Sequence, residues 1–246
     1  MRIWKLYQIG SSTLGSMSSN FMKFFFANWK ENTNYSEAIA LASSVERKMA
    51  QEKIVGRTIV LFPPSVFLVP IYQALSGSAV LLGAQDISKF EGGAHTGEIS
   101  AGMVKPYAKY VLLGHSERRS GFGETSRDIN QKIMVGLKEG LSPLICVSSR
   151  KQLEELDIPS SSLDIFIVYE PVEFIGGEEA QALGEITEFY EMLEKRVKAK
   201  FIYGGSVNEE NSSELLKESF LDGLLIGHSS LDPERFGRII SAKTKV

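Results

Sequence analysis

Residues 23–30 read Lys-Phe-Phe-Phe-Ala-Asn-Trp-Lys, an apolar run that ends in an amide and a cation. The three consecutive phenylalanines do not alternate with polar residues, which indicates a strand that is covered on both faces. Such strands are typical of parallel sheets, in which helices connect one strand to the next. The stretch therefore predicts one strand of an α/β protein.

Seven more runs of this kind follow, each rich in Val, Ile, Leu or Phe. The eight predicted strands are residues 23–29, 58–62, 79–84, 110–114, 143–147, 164–169, 200–203 and 222–226. Helical periodicity lies between them, most clearly at residues 36–50, 128–139, 185–198, 211–218 and 232–242. Ser36 is a candidate N-cap of the first helix, Gly140 ends the second, and Pro233 begins the last.

The number of strand-and-helix units decides between two architectures. Open doubly wound sheets usually have five or six strands, so eight units in a row favour a closed, single-domain (β/α)8 barrel. No linker or low-complexity stretch divides residues 22–246, which we interpret as that domain. Between Cys146 and the sixth strand only residues 151–156 remain for a helix, so we expect a shortened fifth helix region.

Residues 1–21 differ from the rest in composition. They contain five serines, and no acidic residue occurs before Glu31. Lys5 and Gln8 interrupt the only apolar run, which argues against a secretory signal. An organelle presequence remains an alternative, but we interpret the segment as a flexible leader.

Composition excludes several classes of protein. The chain is 43% hydrophobic and 23% charged, as in ordinary globular proteins, and it has no run of the ~18 apolar residues that a membrane span requires. The net charge of −3 gives no basic field for a nucleic acid. The single cysteine, Cys146, excludes an internal disulfide and suits a cytoplasmic location.

Chemistry in such barrels takes place at the carboxyl ends of the strands, and polar residues stand at several of those ends. Asn28 and Lys30 follow the first strand, His115 the fourth and Glu170 the sixth. A carboxylate can abstract a proton, a histidine can polarise a carbonyl, and a lysine can bind an anion. No pattern of metal ligands or of a dinucleotide-binding loop accompanies them, so we expect neither a metal nor a cofactor.

Glycine- and serine-rich turns follow the last two strands. They are Gly204-Gly205-Ser206 and Gly227-His228-Ser229, and turns of this kind bind phosphate through backbone N–H groups. Together with the three side chains above, they indicate proton transfer next to a carbonyl of a small phosphorylated molecule. Taken singly, His115 could be structural, Glu170 could pair with an arginine, and Arg118, Arg119 and Cys146 are interpreted as structural.

Longer motifs resemble one family, the triosephosphate isomerases. The matching segments lie in the family's order over essentially all of residues 22–246: 27–32, 83–86, 93–100, 113–119, 122–124, 169–172, 203–207, 222–223 and 227. His115-Ser116-Glu117-Arg118-Arg119 together with Tyr203-Gly204-Gly205-Ser206-Val207 is the most specific combination.

The resemblance implies interconversion of glyceraldehyde 3-phosphate and dihydroxyacetone phosphate, in glycolysis and gluconeogenesis. It implies Glu170 as the base, neutral His115 as the electrophile, and Lys30 and Asn28 as substrate ligands. Glu117 would pair with Lys30, and Ile175 and Leu225 would enclose the base. The phosphate would meet Gly176, Ser206, Gly227 and His228. The loop from Gly92 to Glu98 would insert into the partner of a homodimer beside Lys30.

Three departures from the family pattern leave other functions open. First, the segment that follows Glu170, which in the family closes over the site and is called the closing segment below, has Glu173 where a Trp is usual and is more acidic. Second, the fifth helix is curtailed. Third, His228 replaces a glycine. One alternative is a different phosphate-binding barrel enzyme, such as an aldolase. The other is a catalytically weakened barrel that binds a phosphate ligand or serves as a scaffold. The joint presence of Asn28, Lys30, His115 and Glu170 favours the active enzyme.

Overall fold

Eight parallel strands form a closed barrel in the computed structural model, which describes residues 22–52, 54–159, 164–174, 177 and 180–242. The strands follow the order of the sequence around the barrel, and β8 pairs with β1. Their bounds are β1 Lys23–Asn28, β2 Arg57–Phe62, β3 Leu81–Ala84, β4 Tyr110–Leu113, β5 Ser142–Val147, β6 Phe166–Tyr169, β7 Lys200–Tyr203 and β8 Gly223–Ile226. The predicted (β/α)8 barrel is confirmed, and no strand end differs from its prediction by more than two residues.

Helices surround the strands. Their bounds are α1 Tyr35–Glu52, α2 Leu68–Ala74, α3 Ala101–Val104, α4 Ser116–Phe122, α5 Ser126–Lys138, α6 Arg150–Glu154, α7 Leu183–Glu194, α8 Ser212–Leu215 and α9 Pro233–Ser241. Short 3-10 turns occupy Ser65–Phe67, Val172–Phe174 and His228–Leu231. As expected, α5 ends just before Gly140, whose φ is 75°, and Pro233 is the first residue of α9.

The predicted N-cap of α1 was wrong. The Asn34 side chain accepts a hydrogen bond from the Glu37 backbone at 3.0 Å, and Glu37 accepts one from the Asn34 backbone at 2.8 Å. These reciprocal bonds satisfy two backbone donors of the first turn, which Ser36 could not do from inside the helix. Ser36 instead donates to the Asn34 side chain.

Aromatic rings fill the barrel interior below its carboxyl end. The Phe26 ring contacts the rings of Phe62, Tyr110 and Phe166 at centroid distances of 6.0, 5.6 and 5.4 Å, each in an edge-to-face arrangement. All four residues are buried. Because this interior is packed, a ligand cannot enter the middle of the barrel and would bind at the mouth formed by the carboxyl ends of the strands.

One glycine allows the barrel to close. Gly223 lies opposite Phe24 where β8 pairs with β1, and a Cβ there would lie 2.1 Å from the Phe24 carbonyl oxygen. Any side chain at this position would therefore force the two strands apart.

The fifth helix region is short, as expected: α6 has five residues. Neighbouring helices satisfy the carbonyl groups at its end. Arg196, after α7, donates to the Glu154 carbonyl at 2.7 Å, and the Asn130 side chain of α5 donates to the Glu155 carbonyl at 2.9 Å. Long-range hydrogen bonds thus replace the missing turns of helix at the outer wall.

The predicted leader, residues 1–21, lies outside the described residues and stays a prediction. Within the described ranges, no helix combines the length and the apolar character that crossing a bilayer would require.

Candidate active site

The end of β1 places an amide and a cation at the barrel mouth. Lys30 has a φ of 53°, in the left-handed region that non-glycine residues rarely adopt. Its backbone N–H donates to the Asn28 side chain at 3.1 Å, and its carbonyl accepts from the Gln85 side chain at 2.9 Å. These bonds hold the strained turn, so that buried Asn28 and half-buried Lys30 both line the mouth.

Glu117 lies beside Lys30, as the resemblance implies. The Lys30 Nζ is 2.6 Å from Glu117 Oε1, and the Glu117 side chain is about half exposed. Because the contact is partly solvated, it orients the ammonium group more than it neutralises it.

The turn after β4 fixes the tautomer of His115. This residue is the N-cap of α4, and its Nδ1 accepts the Glu117 backbone N–H at 3.3 Å. A neutral imidazole that accepts at Nδ1 carries its proton on Nε2. Nε2 lies 3.3 Å from Glu170 Oε1, so this N–H points into the mouth toward the carboxylate.

Glu170 is almost fully buried, and one of its oxygens is unpartnered. The residue is 2% exposed, and Oε2 has no hydrogen-bond partner among the described residues. Gly204, after β7, leaves the necessary space, since a Cβ there would lie 2.9 Å from Glu170 Cγ. Leu225 is also buried and lines the same cavity, on the side where an apolar wall was expected.

Burial and charge oppose each other at Glu170. Burial raises the pKa of its carboxyl group, but His115, a hydrogen bond from the Cys146 thiol and the charge of Lys30 outweigh it and lower the pKa below its usual value. Burial likewise lowers the pKa of His115, and the Glu170 carboxylate outweighs this and raises the pKa. Glu170 is therefore ionised and can accept a proton.

Cys146 does more than the packing that its sequence position indicates. It is buried in β5, and burial raises the pKa of its thiol well above the usual value, with Glu170 adding to the effect. Its interaction with Glu170 helps to lower the pKa of that carboxyl group. A neutral thiol of this kind is a hydrogen-bond donor and not a nucleophile.

The turns after β7 and β8 form the other side of the mouth. Ser206 has a φ of 45°, and a Cβ on Gly227 would lie 3.7 Å from Lys30 Cε, which places this turn next to the β1 turn. His228 is exposed, and it is not among the residues with positive φ. The backbone at this position therefore does not need a glycine, although the family pattern has one.

Phe174 and Gln181 of the closing segment contact the turn after β7 and the end of β7, respectively. Ser206 Oγ donates to the Phe174 carbonyl, and the Gln181 backbone N–H donates to Tyr203 Oη at 2.8 Å. Gly177 lies near Ser206 and lines the cavity. Gly176 and Ile175, two predicted site residues, lie outside the described residues.

One cavity of about 350 Å³ brings most of the predicted site residues together. It includes Asn28, Lys30, His115, Glu170, Ser206, Gly227 and His228. Sequence reasoning missed two residues of its wall, Asn208 and Arg235. Neither lies at a strand end, and only the packing of α9 against the β7 turn brings Arg235 there.

The two arginines after His115 are structural, as interpreted. The Arg118 Nε lies 2.9 Å from Asp86, and Arg119 donates to the carbonyls of Gly114 at 2.8 Å and Cys146 at 3.1 Å. These bonds tie the β4 turn to its neighbours. Among the described residues, no group of three or more His, Cys, Asp or Glu side chains is arranged to hold a metal ion.

Known proteins resemble the chain over most of its length. A family model described as triosephosphate isomerase matches residues 23–243. Proteins named triosephosphate isomerase from Dehalococcoides mccartyi and Thermoanaerobacter pseudethanolicus are 37% and 36% identical. These matches cover 85% and 87% of this chain, and 91% and 96% of the relatives.

A solved structure shares the fold. The crystal structure of triosephosphate isomerase from Bartonella henselae matches with a TM-score of 0.79 and 27% identity, over 89% of this chain and 98% of that one. These relatives are named as enzymes, and nothing in the comparisons favours a scaffold or a weakened binding protein. By its family model, its relatives and its barrel, the chain belongs to the triosephosphate isomerase family.

Proposed function

We propose that the cavity at the barrel mouth carries out the family's interconversion of glyceraldehyde 3-phosphate and dihydroxyacetone phosphate, with Glu170 as the base. The observation that carries this assignment is the unpartnered Oε2 of Glu170, an ionised carboxylate oxygen buried at the mouth. An oxygen with no protein donor is free to approach a C–H group of the substrate.

The reaction moves one proton between two carbons. Glu170 takes the proton from the carbon next to the carbonyl, and the electron pair of the broken C–H bond forms the C=C bond of an enediolate. The carbonyl π electrons move to oxygen, which takes the Nε2 proton of neutral His115. His115 Nε2 then takes the proton of the neighbouring hydroxyl group, so that one proton also moves between the two substrate oxygens. The protonated Glu170 then returns the proton to the neighbouring carbon. Every step uses a protein side chain.

His115 acts as a neutral donor in this scheme. The Glu117 N–H bond to Nδ1 and the N-terminal end of α4 both disfavour a second proton on the ring. Glu117 Oε2, 3.6 Å from Nδ1, makes a smaller contribution to the raised pKa of His115. The larger contribution comes from the contact between His115 and Glu170. We expect a substrate between the two side chains to remove that contact and leave the imidazole neutral.

Lys30 and Asn28 bind the substrate oxygens and stabilise the charge that develops on them. The Lys30 side chain, whose ammonium group is held by Glu117, lies beside the β8 turn. Backbone N–H groups at Ser206, Gly227 and His228 bind the phosphate in our proposal, together with Gly176. The glycine turns allow a close backbone approach that supports this role.

A homodimer is the proposed assembly. The loop from Gly92 to Glu98 stands clear of its own barrel, with Thr96 exposed, while the His95 ring stacks on Phe90 at 3.7 Å. Val66, after β2, and Phe90, after β3, are exposed apolar side chains on the same rim. A second copy of the chain would cover them.

The pathway and the cellular location follow from the reaction and remain proposals. An enzyme that interconverts triose phosphates serves both glycolysis and gluconeogenesis. The lone thiol, Cys146, is buried and protonated, which suits a reducing cytoplasm.

A coupled assay with the purified chain tests the activity. We expect the wild-type chain to convert glyceraldehyde 3-phosphate to dihydroxyacetone phosphate, and we expect Glu170→Gln to lose this activity. Glu173→Gln is the control and should keep it, because Glu173 is an exposed carboxylate of the closing segment. No conversion by the folded wild-type chain would establish the scaffold alternative instead. Equal activity of both variants would remove Glu170 from the role of base.

A further inference from the structure

Arg235 lines the catalytic cavity, although its position in the sequence gives no hint of such a place. It lies in the first turn of α9, where its backbone N–H bonds to Asp232 at 3.0 Å. The same cavity is lined by residues of the two turns assigned to the phosphate, among them Ser206, Gly227 and His228. A guanidinium group here borders the anionic end of a bound triose phosphate.

Glu209 fixes the direction of this side chain. The Arg235 Nε lies 2.9 and 3.0 Å from the two Glu209 oxygens. Hydrogen bonds from its own backbone N–H and from Arg235 and Arg238 lower the pKa of Glu209, so it stays a carboxylate. Because Glu209 binds only Nε, the terminal nitrogens of Arg235 donate to no residue that the structure describes. Those N–H groups remain available to a ligand.

Arg235 shares its carboxylate partner with a second arginine. Arg238 also reaches Glu209, with its Nη2 3.2 Å from Oε1. Two guanidinium groups thus share one carboxylate, so Glu209 does not fully offset the charge of Arg235, while the Asp232 carboxylate is engaged by the backbone N–H groups of α9. Arg238 itself is not part of the cavity wall.

We propose that Arg235 is an affinity determinant for phosphate dianions in this enzyme. The backbone turns bind the phosphate directly, and the guanidinium group adds a cation at the rim of the same site. The chemical class it recognises is the phosphomonoester dianion or free inorganic phosphate. This inference rests on the proposed assignment of the cavity to the isomerase reaction.

The variant pair Arg235→Gln and Arg238→Gln tests the proposal. Both remove one guanidinium group from Glu209, but only Arg235 lines the cavity. We expect Arg235→Gln to raise KM for glyceraldehyde 3-phosphate, and the inhibition constant of inorganic phosphate, by about threefold to tenfold with kcat unchanged. Arg238→Gln should change either constant by less than about twofold, as expected of an exposed charge outside the site.

Two further readouts separate a phosphate contact from a structural effect. The Arg235→Gln effect should shrink as ionic strength rises, because added salt screens the charge. Turnover of glyceraldehyde, which lacks the phosphate, should not change in the variant. A fall in kcat on both substrates, or equal effects of the two variants, would overturn the proposal. The wild-type chain could be inactive and still bind inorganic phosphate. If Arg235→Gln then weakened that binding, the isomerase assignment alone would be overturned.

Discussion

The two halves of the barrel mouth differ in what they expose. Each connection after β1 to β4 exposes a large apolar side chain. Val66 and Phe122 are two clear examples, with 77% and 75% of their surface exposed. After β5 to β8, Val172 is the one such residue among those described. In the first half, the exposed large apolar residue that comes first after each strand is Tyr35, Val66, Phe90 or Phe122, and further ones follow later in the same connections.

The halves also differ in how they hold their functional groups. In the first half, Asn28, Lys30 and His115 are fixed by hydrogen bonds within the protein. In the second half, Glu170 keeps a free oxygen, and the turns offer backbone N–H groups. We infer that the first half holds its substrate ligands on a rigid scaffold that a second subunit covers, whereas the second half supplies the base and the phosphate turns.

The largest effect is expected from the second half, at Glu170. Glu170→Asp keeps the carboxylate but withdraws it by one methylene group. A displacement of ~1 Å can cost on the order of 10²-fold in rate, so kcat should fall by about that factor while KM changes less. Steady-state kinetics in both directions measures the change.

Glu173→Asp is the matched control for this variant. It makes the same chemical change on an exposed side chain three residues away, and its kcat should stay within about twofold of wild type. If Glu170→Asp retained a wild-type kcat, the base would lie elsewhere and the second half would lose its catalytic role.

The dimer prediction tests the first half. Val66→Asp should turn a dimer into a monomer at micromolar concentration, because burying an unpaired carboxylate in an interface costs several kcal/mol. Val172→Asp makes the same change in the second half and should leave the dimer intact. Analytical ultracentrifugation of the three proteins measures the outcome. A monomeric, fully active wild type would contradict the assignment of the first half as a subunit face.

Much of the scaffold could be predicted from the sequence, since it depends on local patterns. Apolar runs without alternation identified all eight strands. The cap of α1 was misassigned although the pattern was present, because Asn34 and Glu37 have the spacing of a capping box and Ser36 does not. The shorter helices α2, α3 and α4 carry too few periodic residues to be predicted individually.

The parts of the site that could not be predicted depend on contacts between distant segments. Arg235 reaches the cavity through Glu209, which lies 26 residues earlier, and Cys146 in β5 meets Glu170 after β6. Neither contact leaves a periodicity or a motif in the sequence. The resemblance to the family supplied residue roles, and it gave no role to side chains such as Arg235 that lie outside the matching segments.

A smaller effect is expected from the thiol that supports the base. Cys146→Ala removes a donor that lowers the pKa of Glu170, so the pKa rises, and the acidic limb of kcat/KM should move to higher pH. A hydrogen bond of about 0.5–1.5 kcal/mol corresponds to a displacement of roughly half to one pH unit. The pH profile of kcat/KM measures it.

Cys146→Ser controls for this change, since the hydroxyl group keeps a donor at the same place. Its acidic limb should stay closer to that of the wild type than the limb of Cys146→Ala does. If both variants lost stability but kept the wild-type profile, Cys146 would serve packing alone.

The smallest effect is expected at His228, the residue of the second half least like the family. Its ring is exposed and its φ is not positive, so a glycine there would relieve no strain. The backbone N–H that we assign to the phosphate is retained in His228→Gly. We therefore expect KM to stay within about threefold of wild type, which corresponds to roughly 0.6 kcal/mol. A tenfold or larger rise in KM would show that the imidazole itself binds the dianion, and the rim would then hold a second side-chain cation beside Arg235.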